Sequence, residues 1–424
     1  MKDQAPRPLT LLLTATTWWP LSARLAIRLL EHGCTVMALC PPGHVLHEVT
    51  GIGTIHSYTG FDSLAALEQA VVAARPDLVI PCDDRAVWQL HALHESRSEH
   101  RELIERSLGA PEYYSALRSR VGCANIARDL GVPVPHTRGI ASTADIREWF
   151  DADPGRAAFK VDGSSGGHGV QIVDDPEKCI AAWRRLAKAA PVGLAWKRWL
   201  VDSDPLAFWP PLRQGKPSAS LQSFIPGRAA NAMVACWEGE VLGTVVVEVL
   251  CSQGATGAST IVRVMRHAQI EQAAVSLARG LRLSGFCGLD FMLHERSGIA
   301  HLIEVNPRCT QLGHLVMPGQ GDLAGLLCAR LGAPAVARAQ TPVMSDVIAF
   351  FPQALAWSPD SPYLQSSNHD VPWTEPRLVQ ELLREPWPDR RWLARAYHRL
   401  RPRRVATARK IEQTAIDLHM SKTL

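Results

Sequence analysis

The sequence predicts an α/β protein that begins with a parallel-sheet domain. Residues 8–117 alternate short apolar strand patterns with helical patterns, in the order β-α-β-α-β. Strands separated in this way pair in parallel, because each helix carries the chain back across a face of the sheet. Farther along, apolar runs joined by turn residues predict antiparallel strands. The chain has 424 residues, of which 46% are hydrophobic. That length is enough for the cores of roughly two to four domains.

The N-terminal elements follow from the apolar runs and the turn residues between them. In order they are strand Leu9–Ala15, helix Ser22–Glu31, strand Thr35–Cys40, strand Thr54–Tyr58, helix Ser63–Ala74 and buried strand Leu78–Pro81. This order is typical of a Rossmann-like sheet, but no G-x-G-x-x-G follows the first strand, so a dinucleotide site is unsupported. Asp83, Asp84 and Arg85 lie where strand ends usually face a ligand. A capped helix that starts at Asp84 is the alternative interpretation.

Composition and charge exclude several classes of protein. The formal net charge of +4 gives no reason to expect a nucleic-acid partner. The ten cysteines occur singly, without a C-x-x-C pair, which argues against a zinc ribbon or a disulfide framework and predicts a cytoplasmic protein. No stretch is an apolar span of about 18 residues. Lys2 and Arg7 before Leu9–Ala15 are reminiscent of a signal peptide, but threonines interrupt the apolar run and a buried strand fits better.

A hairpin in the segment Gly285–Arg308 carries polar residues at its strand ends. Two apolar strands flank a turn at Ser297-Gly298. Glu304 and Asn306 are two residues apart, so they project from one face of the second strand, and Asp290 belongs to the first. Two carboxylates and an amide oxygen predict a site for Mg²⁺, with Mn²⁺ as an alternative, held partly by substrate phosphates. An ordinary hairpin with a polar solvent face is the alternative interpretation.

A glycine-rich loop lies in the segment Lys160–Gly169, after a predicted strand at Phe159-Lys160-Val161. The loop residues after Lys160 include Gly163, Ser164, Ser165, Gly166, Gly167, His168 and Gly169. Backbone N–H groups of such a loop converge on an anion, and the hydroxyls and Lys160 add donors and positive charge. The loop differs from a Walker motif, because no Gly-Lys-Ser/Thr follows. A surface turn is the simpler interpretation for the loop alone, but the hairpin downstream favours a nucleotide site.

These segments together resemble the ATP-grasp superfamily, over about half of the chain from Arg118 to Gly321. The motifs that carry the resemblance are GLDFM and IEVNPR within Gly288–Arg308, Lys160 with its glycine loop, LQSFIPG at Leu221–Gly227 and RVGCANIARDLGVPVP at Arg120–Pro135. The resemblance implies three regions: a Rossmann-like N-terminal domain at 1–117, a two-lobed α+β ATP-grasp domain at 118–335, and a C-terminal appendage at 336–424.

The resemblance also implies which residues bind ATP and its metal. The implied cofactor-binding residues are Arg120, Lys160, Ser164, Ser165, Gly166, Gly167, His168, Gly169, Gln222, Phe224, Ile225 and Asn231, and the implied metal ligands are Asp290, Glu304 and Asn306. Two departures from the family pattern stand out. Arg120 occupies the place of a phosphate-binding lysine. Ala229 and Ala230 occupy the place of an acidic ribose ligand, for which Asn231 is the candidate substitute.

The reaction implied for such a site joins a carboxylate to an amine through an acylphosphate, with release of ADP and phosphate. Arg308 would neutralise the carboxylate and the acylphosphate, and Arg263 would approach the triphosphate, with a plain surface arginine as the alternative for Arg263. His168 and solvent are the two candidates for the base. Substrates are expected to be small, an amino acid or similar carboxylate and an amine, although bicarbonate or formate fit the same fold. The rival hypothesis is a non-catalytic ATP-binding sensor or scaffold.

Two further segments carry open interpretations. The Trp- and Pro-rich insertion 191–217 is either a lid or wall of the cleft, or a surface excursion pinned by its tryptophans. Residues 390–410 contain nine basic residues and no acidic ones. They predict a helix packed on the body with a solvated basic rim. A docking surface for an acidic partner or an anionic membrane is the second interpretation, and a nucleic-acid surface is the third. A homodimer is a further expectation.

Overall fold

The structure is a computed structural model that describes residues 8–58, 61–163, 169–187, 192–209, 218–317, 321–333 and 345–400. Within these ranges the strands form three larger sheets, one in the N-terminal domain and two in the region that follows. The α/β fold class predicted from the sequence is confirmed. None of the helices in the described ranges is long and apolar enough to cross a membrane.

The N-terminal domain is a parallel sheet with helices around it. Its elements are β1 (Thr10–Thr14), α1 (Ser22–Glu31), β2 (Thr35–Cys40), β3 (Ile55–Ser57), α2 (Ser63–Ala74), β4 (Leu78–Pro81), α3 (Asp84–Ser96) and α4 (Arg101–Leu108). The strand order is β3-β2-β1-β4, with every pair parallel. The strands form because their side chains are aliphatic and almost all buried, as expected for a sheet covered on both faces. The bounds predicted for α1, β2, α2 and β4 are confirmed.

Helix α3 begins at Asp84, which confirms the capped-helix interpretation of this segment. The cap is Asp83, whose carboxylate accepts a hydrogen bond from the backbone N–H of Ala86 at 2.9 Å. The same carboxylate accepts from the hydroxyl of Thr16 at 2.8 Å. Asp83 therefore orders the helix start and the loop after β1, and it leaves the next residue free to face another part of the chain.

A small antiparallel sheet forms the first lobe of the following region. The elements are α5 (Tyr114–Leu117), α6 (Arg120–Asp129), β5 (Thr137–Ile140), α7 (Thr143–Ala152), β6 (Ala157–Val161), β7 (Val170–Val173), α8 (Pro176–Leu186), α9 (Val192–Leu200) and β8 (Ala219–Ser223). The strand order is β5-β8-β6-β7. Helices α7 and α8 pack on this sheet around the buried rings of Trp149 and Phe159. The sheet therefore places Lys160, the residue after Phe159, on the opposite side from this core.

The second lobe is a larger mixed sheet. Its elements are β9 (Gly227–Trp237), β10 (Glu240–Ser252), β11 (Ser259–Met265), α10 (Ala268–Gly280), β12 (Gly285–His294), β13 (Ala300–Asn306), β14 (Val316–Met317), β15 (Gly321–Asp322) and α11 (Leu323–Arg330). The strand order is β13-β12-β9-β10-β11, and all these pairs are antiparallel. Helix α10 covers one face, and the N-terminal domain packs on the other. The predicted hairpin is confirmed as β12 and β13.

The C-terminal segment extends this larger sheet. Its elements are β16 (Val347–Ala349), α12 (Gln353–Trp357), α13 (Tyr363–Ser366), β17 (Asn368–His369), α14 (Pro376–Leu382), α15 (Trp387–Arg390) and α16 (Trp392–Leu400). Strand β16 pairs with β11, and β17 pairs with β16. The sheet thus continues beyond residue 335, where the sequence places a domain boundary, and that boundary stays a prediction. On α16 the side chain of Trp392 is 74% exposed, whereas Ala394 is buried.

We expect Phe159→Ala to destabilise the protein by about 3–5 kcal/mol, because removing a fully buried ring leaves a cavity in the small-lobe core. Thermal unfolding followed by circular dichroism measures the effect. Trp357→Ala is the matched control, since that ring is 58% exposed. A Phe159→Ala variant as stable as the control would contradict the packing described for this lobe.

Candidate functional site

The register of the larger sheet gathers the two predicted carboxylates and Asn231 in one row. Asp290 lies directly opposite Glu304 on one side and opposite Asn231 on the other. The side-chain amide of Asn231 donates to one carboxylate oxygen of Asp290 at 2.5 Å, and that of Asn306 donates to the other at 3.0 Å. Side chains directly opposite across strands share a face. The structure therefore brings the three predicted metal ligands together, and it places Asn231 beside them.

The local electrostatics of this row favour a cation. Burial and, after it, the negative charge of Glu304 raise the pKa of Asp290 to about 6. Two carboxylates in register repel each other when both are ionised. A hard divalent cation relieves this repulsion, and carboxylate and amide oxygens are the donors that such a cation prefers. The donor set of Asp290, Glu304 and Asn306 thus fits Mg²⁺.

Steric crowding explains why the GLD motif begins with a glycine, Gly288. A Cβ added to Gly288 would lie 2.3 Å from the Cγ2 atom of Thr310 and 3.4 Å from the Cβ atom of Asn306. The first distance is far below van der Waals contact. Gly288 therefore lets the chain after Asn306 fold back across β12, which keeps Asn306 and Arg308 beside the carboxylates.

Two cations reach the same row from the smaller lobe. The ammonium of Lys160 donates to the backbone carbonyl of Ile303 at 3.2 Å. Burial lowers the pKa of Lys160 to about 8, although the charges of Glu304 and Asp290 act to raise it. Arg120, at the start of α6, donates to Glu304 at 3.0 Å and to the carbonyl of Val161 at 2.6 Å. The two lobes thus meet through positive groups aimed at the carboxylates.

Arg308 lies next to this row and is held by the N-terminal domain. Its guanidinium donates to both carboxylate oxygens of Asp84, at 2.6 Å and 3.2 Å, and to the side-chain oxygen of Asn306 at 3.3 Å. Burial alone would lower the pKa of Arg308, but the charge of Asp84 outweighs burial and raises it. The fork geometry fixes the guanidinium plane. The sequence left Asp84 as either a residue at a ligand-facing strand end or a helix start, and it did not predict the pair with Arg308.

Arg263 is not brought to the carboxylates. Strand β10 pairs Val247 with Asn231 and pairs Glu248 with Arg263. Because neighbouring residues on a strand project from opposite faces, Arg263 lies on the other face of the sheet from Asn231. There it forms an ion pair with Glu248 at 3.4 Å. A phosphate role for Arg263 stays a prediction, and the register argues against it.

The residues predicted to hold adenine lie between the lobes. Gln222 is buried and donates to the hydroxyl of Thr137 at 3.1 Å. The guanidinium carbon of Arg156 lies 4.0 Å from the ring centre of Phe224, and the N–H of Phe224 donates to the carbonyl of Arg156. Ile225 is half-buried in the turn that leads into β9. Adenine binding by these residues stays a prediction.

The glycine loop is described only at its ends. The carbonyl of Gly169 accepts a hydrogen bond from the N–H of Val161 at 3.0 Å, which joins the two strands that flank the loop. A Cβ on Gly163 would lie 2.8 Å from the indole of Trp88. The other predicted loop ligands, Ser164, Ser165, Gly166, Gly167 and His168, lie outside the described residues.

The described part of the Trp- and Pro-rich insertion packs against the N-terminal domain. Asp204 accepts from Arg198 at 2.8 Å and forms a buried ion pair with Arg85 of α3. The rings of Trp199 and Phe61 also meet, with their centres 5.3 Å apart. Arg85, which the sequence placed at a ligand-facing strand end, thus binds the insertion. The interpretation of the insertion as a lid or wall of the cleft and its interpretation as a surface excursion both stay predictions.

A cleft that is open to solvent runs beside Glu304 and Asn306, between the N-terminal domain and the two lobes. One face of α3 lines it, through Asp84, Val87, Trp88 and His91. The sequence indicated Asp84 as a residue at a ligand-facing strand end, but it did not indicate Val87, Trp88 or His91. Their spacing of three, four and seven positions from Asp84 is the signal of a single helix face, but a core-facing stripe has the same spacing.

Comparisons with known proteins agree with this architecture. A family model described as an ATP-grasp domain matches residues 212–311. No curated protein matches the sequence. Among solved structures, N5-carboxyaminoimidazole ribonucleotide synthetase from Thermus thermophilus is similar, with 17% identity, a TM-score of 0.56, and coverage of 78% of this chain and 80% of that chain.

Two other solved structures share the fold. The biotin carboxylase domain of 2-oxoglutarate carboxylase from Hydrogenobacter thermophilus, in complex with MgADP, is 13% identical, with a TM-score of 0.55 and coverage of 79% of this chain and 72% of that chain. Carboxyaminoimidazole ribonucleotide synthase from Aspergillus clavatus, complexed with ATP, is 13% identical, with a TM-score of 0.55 and coverage of 78% of each chain. Residues 212–311 thus match an ATP-grasp domain, and the similarity to these solved structures shows that the chain shares their fold.

Proposed function

We propose that the protein is an ATP-dependent carboxylate–amine ligase, which forms an amide bond through an acylphosphate and releases ADP and phosphate. The observation that supports it most is the cluster of Asp290, Glu304 and Asn306, which Lys160 and Arg120 approach from the other lobe. A binding scaffold needs a nucleotide pocket, but it has no need of three cation ligands set beside a half-buried arginine. Similar solved structures that contain ADP or ATP support nucleotide binding by this chain.

The residues of this site would assist phosphoryl transfer in two ways, by neutralising charge and by positioning the reacting groups. Asp290, Glu304 and Asn306 would hold Mg²⁺, which neutralises phosphate charge when it is bound with ATP. Lys160 and Arg120 leave their present partners to contact the phosphates. Their movement is short, because both already lie at the row of carboxylates. The described end of the glycine loop at Gly163 lies beside them.

Arg308 and Asp84 would serve the two substrates. Arg308 neutralises the carboxylate and then the acylphosphate, since a planar guanidinium binds such oxygens in pairs. Asp84 lines the cleft and already carries a cation partner. It is suited to bind the incoming ammonium group and to accept its proton, so that the free amine attacks the acyl carbon and phosphate leaves. This gives the reaction a base that the sequence alone did not supply.

Substrate identity and cellular context belong to the same proposal. The substrates are small, an amino acid or similar carboxylate and an amine, and the reaction takes place in the cytoplasm. A homodimer and an acidic partner for the basic segment 390–410 stay predictions. The ring of Trp392, exposed beside Arg391 and Arg395, is compatible with such a docking role.

The experiment that tests the proposal is ADP release from the purified protein with Mg·ATP. Pools of amino acids, other small carboxylates and bicarbonate are supplied with and without pools of amines. Release that requires one carboxylate pool and rises with one amine pool supports the ligase. Tight Mg·ATP binding without release from any pool would favour the scaffold hypothesis.

The affinity for Mg·ATP should depend on pH through Asp290. Its carboxylate binds a cation only when ionised, and its pKa is raised by burial to about 6. Affinity is therefore expected to be constant above this pH and to fall by up to about tenfold per pH unit below it. Calorimetric titrations from pH 5 to pH 8, with magnesium-free ATP as the control, measure the effect. A flat profile would show that Asp290 does not ligate the metal.

A further inference from the structure

The cleft extends from Asp84, the partner of Arg308, along one face of α3. Asp84 lies at the end of this face next to Arg308, which we call the inner end, and His91 lies seven residues on, at the end that we call the outer end. Seven residues of α-helix span about 10 Å. A substrate that reacts at the inner end and fills the cleft is therefore longer than a simple amino acid.

The outer end of the cleft combines an aromatic ring with an exposed cation. The guanidinium carbon of Arg118 lies 5.6 Å from the ring centre of Trp88, and both residues line the cleft. Leu117 and Val87 extend the apolar wall. Within the described residues Arg118 has no carboxylate in ion-pair range, whereas Arg120 and Arg308 both do. The outer cation is thus available to a ligand.

His91 offers a second polar group at this end. Its side chain is almost fully buried and stacks on Tyr114 with ring centres 4.1 Å apart. Its Nδ1 atom has no hydrogen-bond partner among the residues that the structure describes, although the residue lines the cleft. Burial lowers the pKa of His91 to about 3, so the ring is neutral at ordinary pH and can donate or accept one hydrogen bond. Buried polar atoms normally have a partner.

We infer that this outer end is a specificity subsite for an amine substrate with a planar apolar body and an anionic group on the far side of that body from the reacting nitrogen. The planar body packs against Trp88, the anion pairs with Arg118, and His91 donates or accepts the remaining hydrogen bond. The assignment of the amine to the inner end rests on the proposed function. The subsite itself rests on the cleft geometry.

Equilibrium binding of p-aminohippurate, measured by ligand-observed NMR without nucleotide, tests the subsite. This probe has an amine, a planar ring and a terminal carboxylate, and p-aminobenzoate is shorter by one glycyl unit, about 3.5 Å. Saturable binding of p-aminohippurate, stronger than that of p-aminobenzoate and of the methyl ester of p-aminohippurate, is expected. No saturable binding, or equal binding of all three, would overturn the inference.

Two variants connect the binding to the named residues. Trp88→Leu should weaken p-aminohippurate binding about fivefold through loss of the ring contact. Arg118→Met should weaken it about tenfold, yet change binding of the methyl ester less than about twofold, because only the acid carries the charge. Trp357→Leu and Arg128→Met, both outside the cleft, are the matched controls. Equal effects of Arg118→Met on acid and ester would contradict an anion site.

The subsite and the proposed reaction fail separately. If p-aminohippurate binds and responds to both variants while no substrate pool releases ADP, the subsite stands and the ligase reaction is wrong. If ADP release depends on a carboxylate and an amine, while Trp88→Leu and Arg118→Met leave p-aminohippurate binding unchanged, the ligase stands and the subsite is wrong. Thermal unfolding of each variant shows that the protein is folded.

Discussion

Glu304→Gln should reduce ADP release at least about 100-fold, the scale seen when one group that stabilises transition-state charge is removed. Glutamine has nearly the same shape, but it carries no charge to hold a divalent cation opposite Asp290. The fold should persist for two reasons. The variant loses the ion pair with Arg120, yet it also removes the repulsion that helps to raise the pKa of Asp290. Steady-state ADP release and the melting temperature measure the two effects.

Glu248→Gln is the matched control for this variant. Glu248 is a buried carboxylate of the same sheet, and like Glu304 it is paired with arginine, but it lies on the other face. We expect its ADP release to stay within about threefold of the unchanged protein, because no metal or phosphate contact is removed. Substantial turnover by Glu304→Gln would show that the metal site has been assigned to the wrong residues. Equal losses in both variants would point to a general effect on the sheet.

Short-range features of the site could be predicted because the sequence determines them locally. Asp290 and Glu304 belong to one hairpin, so the strand period and a turn at Ser297-Gly298 are sufficient to bring them together. The helix α2 was predictable for a similar reason, since Asp62 caps it and a helical pattern follows. In both cases the residues that determine the structure lie within one strand pair or a few helical turns of each other.

Long-range features could not be predicted because nothing local encodes them. Arg308 and Asp84 are 224 residues apart, and their pairing depends on how the N-terminal domain docks on the larger sheet. The face occupied by Arg263 depends on the register between β10 and β11, which the pattern of one strand does not contain. Asn231 shows the same limit, because only the pairing of β9 with β12 places it at Asp290.

Arg308→Lys should lower kcat by about 100-fold to 1,000-fold and leave the affinity for Mg·ATP nearly unchanged. A lysine keeps the charge, but it cannot bind both oxygens of Asp84 and those of an acylphosphate in one plane. Because Arg308 is assigned to the carboxylate substrate, nucleotide binding should not depend on its geometry. Calorimetric Mg·ATP affinity and steady-state kcat separate the two quantities. A large loss of Mg·ATP affinity would move Arg308 from the acid substrate to the nucleotide.

Arg263→Lys is the same substitution on the opposite face of the same sheet, and it decides between two accounts of the phosphate site. If the register excludes Arg263 from the cleft, kcat and Mg·ATP affinity should both stay within about threefold of the unchanged protein, because only the contacts with Glu248 and Asp346 are altered. If Arg263 binds phosphate, as the resemblance to the family implies, Mg·ATP affinity should fall at least about tenfold. That result would require the strand to present its other face to ATP, which would contradict the pairing of Glu248 with Arg263.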